Sequence, residues 1–171
     1  MSGRFRRFVL VLALAVPAGA CGFHPLYGEI GSQRAGQAVF NSIYVDPIPG
    51  ERIGYQLRNN LIEQLQGAAV PQDALYRLVV TTTQGIEGIA VEPDASITRY
   101  NFNLVAHYVL SNIHTGAIIK SGDESTLSEY DVVSSPYSTL VAQQAAERRA
   151  TEDIAGRVRV DLAVHFHNTA K

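Results

Sequence analysis

Residues Ile97 to Ser111 admit little besides one long β-strand. Tyr100, Phe102, Leu104, Ala106, Tyr108 and Leu110 take every second position, and Arg99, Asn101, Asn103, Val105 and His107 fill the places between. Successive side chains of a strand point to opposite faces, so this pattern makes one face oily and the other wet. A strand of that kind belongs to an antiparallel sheet packed on one side only. A hairpin turn follows at Asn112 to Gly116, with Gly116 free to take positive φ, and Ala117 to about Val133 returns antiparallel with a polar second half.

The flanking segments supply the layer that covers the oily face. Ile53, Leu57, Leu61 and Leu65 recur at helical spacing, predicting a helix from about Gly50 to Gln66 that Gly67 ends. A second, longer helix is expected from about Pro136 to His167, with Ser135 as its cap. Its inner stripe reads Tyr137, Leu140, Gln144, Thr151, Ala155, Val158, Leu162 and Phe166. Arg148, Arg149, Arg157 and Arg159 are assigned to water beside Glu147, Glu152, Asp153 and Asp161. Two further strands are expected. One lies near Ala38 to Pro47, where Val39, Asn41, Ile43 and Val45 alternate with Phe40, Ser42 and Tyr44. The other lies near Leu75 to Gln84, with Gly85 and Gly88 allowing a bulge or bend and Pro93-Asp94 a turn. The order β-α-β-β-β-α predicts an α+β two-layer sandwich: a four-stranded, mostly antiparallel sheet with two helices on one face.

The first twenty residues read differently. Arg4, Arg6 and Arg7 precede a run of about nine apolar residues, Phe8 to Val16, too short to span a bilayer but right for a secretory signal. Ala18-Gly19-Ala20 is a small-residue cleavage site, and the next residue, Cys21, is the only cysteine in the chain. An ordinary signal peptidase and the lipoprotein peptidase would cut the same bond. The second is favoured, because an exported chain rarely keeps an unpaired cysteine without a use for it. Ala18 stands where the lipoprotein signal prefers Leu. Gly22 is not the Asp that holds lipoproteins at the inner membrane, so an outer-membrane address is expected. Residues 1–20 are thus read as a removed signal, 21–37 as a lipidated tether and 38–171 as one domain. Acyl chains on Cys21 would anchor that domain to a membrane.

Removal of the signal takes away Arg4, Arg6 and Arg7 and no acidic residue, leaving a net charge of −5. Such a domain is no general binder of nucleic acid or anionic membrane, so an anionic ligand would need a local basic cluster. Arg77, Arg99 and Lys120 fall at alternate strand positions and are the candidates for one, with Asn101, Asn103 and Ser121 beside them. Charge-assisted hydrogen bonds from such a patch suit a sugar-phosphate head group; scattered solubility charges are the alternative. No catalytic constellation is visible. His107 lacks a nucleophile at a useful spacing, and His165 and His167 point to different sides of a helix. Asp123-Glu124 reads as a solvated pair, and no hydrolase, zinc, phosphate-loop or C-x-x-C motif is present. A non-enzyme without cofactor is expected.

The stretch Cys21-Gly22-Phe23-His24-Pro25-Leu26-Tyr27-Gly28 resembles the start of mature LptE-family lipoproteins, which serve lipopolysaccharide assembly in Gram-negative bacteria. Tyr76-Arg77-Leu78, Thr98-Arg99-Tyr100, Thr115-Gly116 and the Ala/Arg-rich segment Ser138 to Ile154 extend the resemblance over the mature chain. It implies a four-stranded sheet carrying two helices. It also implies a lipoprotein at the outer membrane, with its domain on the periplasmic side and inside the lumen of the LptD β-barrel. There it would act as plug and assembly partner and bind lipopolysaccharide. The resemblance supplies no ligand motif, so Arg77, Arg99 and Lys120 as contacts to lipid A or core sugars are a hypothesis from the residues alone. A lipoprotein scaffolding some other envelope complex is the competing class, and a small exported hydrolase a third.

Overall fold

The structure, a computed structural model, describes residues 37–67, 73–91 and 97–169. The signal, Cys21 and all of the tether except Gln37 lie outside the described residues. The alternation that opened the sequence reading becomes β3 (Ile97–Asn112), flanked by β2 (Tyr76–Val91) and β4 (Ile118–Asp131) and antiparallel to both. Phe102, Leu104, Ala106, Tyr108 and Leu110 are fully buried on one face. Leu78 faces that side opposite Leu110, and Val80 opposite Tyr108. Each large apolar side chain buried there contributes roughly 1.5–3 kcal/mol.

β2 runs past Gln84, through Gly85 and Gly88 to Val91. Its register against β3 shifts between Gly88 and Ala90 and again between Ala90 and Val91, so the glycines mark an irregularity within the strand, not its end.

β1 is shorter than expected and parallel to β2. It spans Ile43–Val45, with Ile43 opposite Tyr76 and Val45 opposite Leu78, and gives a mixed sheet of order β1-β2-β3-β4. Residues 37–40 are helical, although 38–40 read from the sequence as strand and Gln37 as the end of the tether. Local hydrogen bonds decide this. Gln37 Nε2 donates to Asn41 Oδ1 (2.9 Å) and to the Leu65 carbonyl (3.0 Å), and Ser42 Oγ donates to the Val39 carbonyl (2.7 Å). Polar side chains thereby satisfy the backbone before a ladder can. Phe40 then meets Phe166 edge-on, ring centroids 6.3 Å apart, and Tyr76 lies 5.5 Å from the same ring.

Helix α1 (Glu51–Gln66) supplies the crossover that the parallel β1–β2 pair requires. Ile53, Leu57, Leu61 and Leu65 are buried as their spacing predicted, and the N–H of Gly67 (φ 66°) closes the helix on the Glu63 carbonyl. Gly54, inside the helix, is needed for a steric reason. A Cβ there would run into the carbonyl oxygens of Ile48 and Pro49, because the turn before α1 folds back on its first turn.

Helix α2 (Pro136–Thr169) has 34 residues against the 16 of α1, so at ~1.5 Å per residue it is about twice as long. The two helices pack on the same sheet face and touch through Arg52 and Glu147, Asn60 and Thr151, and Gln64 and the Glu152 carbonyl. α1 therefore begins beside Glu147, eleven residues after the start of α2. This corrects part of the expected inner stripe. Thr151, Ala155, Val158 and Leu162 are buried, but Tyr137 is 75% and Leu140 46% exposed. Glu147, expected in water, is buried instead.

Candidate functional site

The sheet face without helices is polar, as the alternation of β3 predicted. Thr81, His107 and Asp123 form one cross-strand row, Thr83, Val105 and Ser125 the next, and Glu87, Asn101 and Glu129 another. His107 Nδ1 lies 2.8 Å from Asp123 Oδ1. Hydroxyls, amides and short aliphatic side chains alternate here over three strands.

The expected basic patch does not form. Arg77 lies opposite Ser111 at one end of β3, and Arg99 lies twelve positions away at the other. Arg77 faces Asp46 at 3.5 Å, while Arg99 donates from Nε to Asp131 Oδ1 at 2.7 Å. Lys120 is on the opposite side of the sheet. It pairs with Leu110, a core residue, and its Nζ reaches Asp161 of α2 at 3.1 Å. The physical reason is a register shift between Leu110 and Ser111. One residue of slip exchanges the faces of a strand, so a count along β4 from the hairpin puts Lys120 on the wrong side.

Lys120 and Asp161 belong to a latch between β4 and α2. The hydroxyl of fully buried Tyr108 donates to Asp161, and Gly122 lies against the Tyr108 ring. Burial pushes the Tyr108 hydroxyl well above its ordinary pKa, and the Asp161 carboxylate adds to the shift. Burial would also raise Asp161, but hydrogen bonds from Tyr108 and Lys120, with the charge of Lys120, hold it below the usual carboxylate value. A carboxyl depressed in the folded state stabilises the fold above its unfolded pKa of about 3.9, and the gain is lost as pH falls through the folded value. A phenol raised in the folded state stabilises below its unfolded pKa of about 10, and that gain is lost as pH rises toward the folded value. The urea midpoint should therefore fall at both extremes. Asp161→Asn should flatten the acid limb while costing about 1 kcal/mol at neutral pH.

A second polar site lies where α1 begins. Gly50 to Ile53, Gln84 and Ile86 of β2, and Gln143 and Glu147 of α2 surround a cleft of ≈ 530 Å³. The Glu147 side chain, 3% exposed, is its anchor. Arg52 Nε donates to Glu147 Oε2 at 3.0 Å with Nη2 on the same oxygen, and Gln143 Nε2 donates to Oε1 at 3.0 Å. Gly50 (φ 111°), which precedes the helix, and Glu51 (φ 47°), its first residue, both take left-handed backbone. The cleft exists because α1 starts late: Ile86 faces the core side opposite Phe102 yet is 50% exposed. The sequence reading missed this site, although Glu147 lies three residues after Gln144 and four before Thr151, on the stripe already assigned to the core. Its charge, not its position, led to water.

A family model described as LptE, lipopolysaccharide-assembly, matches residues 40–162. A search of curated proteins returns no match. Among solved structures, a lipoprotein from Caulobacter crescentus is similar with TM-score 0.66 and 22% identity, covering 79% of this chain and 97% of its own. Rare lipoprotein B from Shewanella oneidensis is similar with TM-score 0.56 and 10% identity, covering 76% of this chain and 98% of its own. A minor lipoprotein from Acinetobacter baumannii follows with TM-score 0.53 and 15% identity, covering 72% and 92%. At these identities the likeness is one of fold.

Proposed function

The chain belongs to the LptE family of lipopolysaccharide-assembly proteins, and from that premise we propose that it is an outer-membrane lipoprotein, acylated on Cys21. In this reading it seats in the lumen of the LptD β-barrel and binds lipopolysaccharide during delivery to the outer leaflet. The family match over residues 40–162 carries the proposal. The bare sheet face supports it physically. The lumen of a large outer-membrane barrel is polar, and the rows built from Thr81, Thr83, Asn101, His107 and Ser125 offer a polar surface of matching character. No helix among the described residues is long and apolar enough to cross a membrane, and the anchor in this reading is the set of acyl chains on Cys21. Lipopolysaccharide contact at Arg77, Arg99 or Lys120 would be made one residue at a time, in competition with the carboxylate each already holds.

Affinity capture of the tagged chain from detergent-solubilised outer membranes is expected to recover a large heat-modifiable β-barrel. Mass spectrometry of the same preparation is expected to find acyl chains on the N-terminal Cys21. Recovery of soluble periplasmic proteins alone would overturn the barrel assignment, and a free Cys21 thiol the anchor. Substituting lysine for Thr83 and for Ser125, in one row of the bare face with Val105 between them, should reduce barrel recovery without unfolding the domain.

A further inference from the structure

An anionic glycolipid offers two kinds of handle, phosphates and sugar hydroxyls. Of the basic residues, Arg77, Arg99, Lys120 and Arg157 already face a carboxylate at 2.7–3.5 Å. The cleft at the start of α1 is a different environment. Arg52 brings one positive charge to it, and Glu51 and Glu147 bring two negative ones, so a phosphate would enter against the local field. A neutral polyol meets no such barrier.

The hydrogen-bonding groups of the cleft suit hydroxyls. The pair of bonds to Glu147 fixes the Arg52 guanidinium and leaves Nη1 without a partner among the described residues. Gln143 spends its amide N–H on Glu147, which leaves its carbonyl oxygen as an acceptor. The side chain of Gln84, on the strand opposite, has no hydrogen-bond partner among the described residues, so its amide offers a donor and an acceptor together. A sugar hydroxyl gives and takes a hydrogen bond at once, and a wall of mixed donors and acceptors satisfies several in a row. The other requirement is an apolar surface for the C–H face of the ring. Ile86, half exposed and backed by Phe102 and Ile53, provides it. At ≈ 530 Å³ the cleft lies within the roughly 300–1,000 Å³ of small-molecule sites.

We infer that this cleft binds a neutral saccharide unit, and that through it the protein grips lipopolysaccharide by its sugars. The second half of this statement rests on the lipopolysaccharide binding proposed above. Gln84 and Arg52 are the principal hydroxyl contacts, and Glu147 and Gln143 hold Arg52 in place. The site is separate from the bare sheet face, so the chain can hold a saccharide while that face is covered.

The test uses the full chain carrying Cys21→Ser, labelled with 15N. It is titrated in turn with a dephosphorylated oligosaccharide released from lipopolysaccharide, with inorganic phosphate, and with whole lipopolysaccharide. The oligosaccharide is expected to shift the side-chain amide signals of Gln84 and Gln143, and phosphate to leave them in place. Gln84→Leu, a change at an exposed strand position, should weaken oligosaccharide and lipopolysaccharide binding at least fivefold with the melting temperature unchanged. Arg99→Ala combined with Lys120→Ala should leave both affinities within twofold. Lipopolysaccharide binding without amide shifts from the oligosaccharide, or an unaltered affinity in Gln84→Leu, overturns the saccharide site and leaves lipopolysaccharide binding standing. Oligosaccharide binding without lipopolysaccharide binding makes the site one for free saccharides and removes the glycolipid reading. Binding of neither overturns both.

Discussion

Arg52→Ala should destabilise the domain by about 3 kcal/mol, far more than removing its partner. The asymmetry follows from burial. The Glu147 side chain is 3% exposed and that of Arg52 48% exposed. Without Arg52 the carboxylate stays between the helices with only Gln143 to hydrogen-bond it, and an uncompensated buried charge costs about 3–5 kcal/mol. Water already reaches the guanidinium, which places the expected value at the lower end of that range. Glu147→Leu instead leaves Arg52 free to turn into solvent and fills the space with apolar volume, at a cost of within about 1 kcal/mol. Adding Glu147→Leu to Arg52→Ala should restore most of the lost stability. Urea unfolding of the four proteins checks this. Equal losses from both single substitutions would mean that the pair contributes by packing and not by charge.

Gly122→Val should cost a comparable amount, about 3 kcal/mol, near the upper end for overpacking a core. Gly122 lies opposite Tyr108, and a Cβ at that place would stand 2.8 Å from the Tyr108 hydroxyl oxygen and 3.0 Å from two ring carbons. The ring cannot step aside, because it is fully buried and its hydroxyl is bound to Asp161. In a Tyr108→Leu background the same glycine substitution should cost less than about 1 kcal/mol, since the colliding atoms are gone. A full cost in both backgrounds would place the strain in the β4 backbone and not in the contact.

What the sequence disclosed follows from periodicity, and what it concealed follows from context. The alternation in β3 and the four-residue spacing of the leucines in α1 are local signals, and both elements formed where those signals lay. The polar bare face was legible for the same reason. Residues 38–40 open a stretch whose β-branched and aromatic side chains read as strand and still fold as a helical turn, because Gln37 finds Leu65 and Phe40 finds Phe166, partners more than twenty-five positions away. Tyr137 and Leu140 sit on the inward stripe of α2 and remain exposed, because α1 begins too late to meet them. No window centred on α2 contains the length of α1. Lys120 was misplaced by a single bulge, and Glu147 by the habit of sending charges to water.

The Phe40–Tyr76–Phe166 cluster joins the first described segment, the second strand and the last helix. A chain emerges N-terminus first, so this junction cannot close until almost the whole sequence is available. The β2–β3–β4 meander can zip by neighbouring hairpins, whereas β1 waits for β2 and the inner sheet face waits for α2. Until α2 arrives, Leu104, Leu110 and their neighbours lack their cover, and an unfinished molecule presents a greasy sheet to its surroundings. Premature termination before the buried stretch of α2, Ala146 to Leu162, should therefore yield an aggregation-prone fragment and not a smaller working domain.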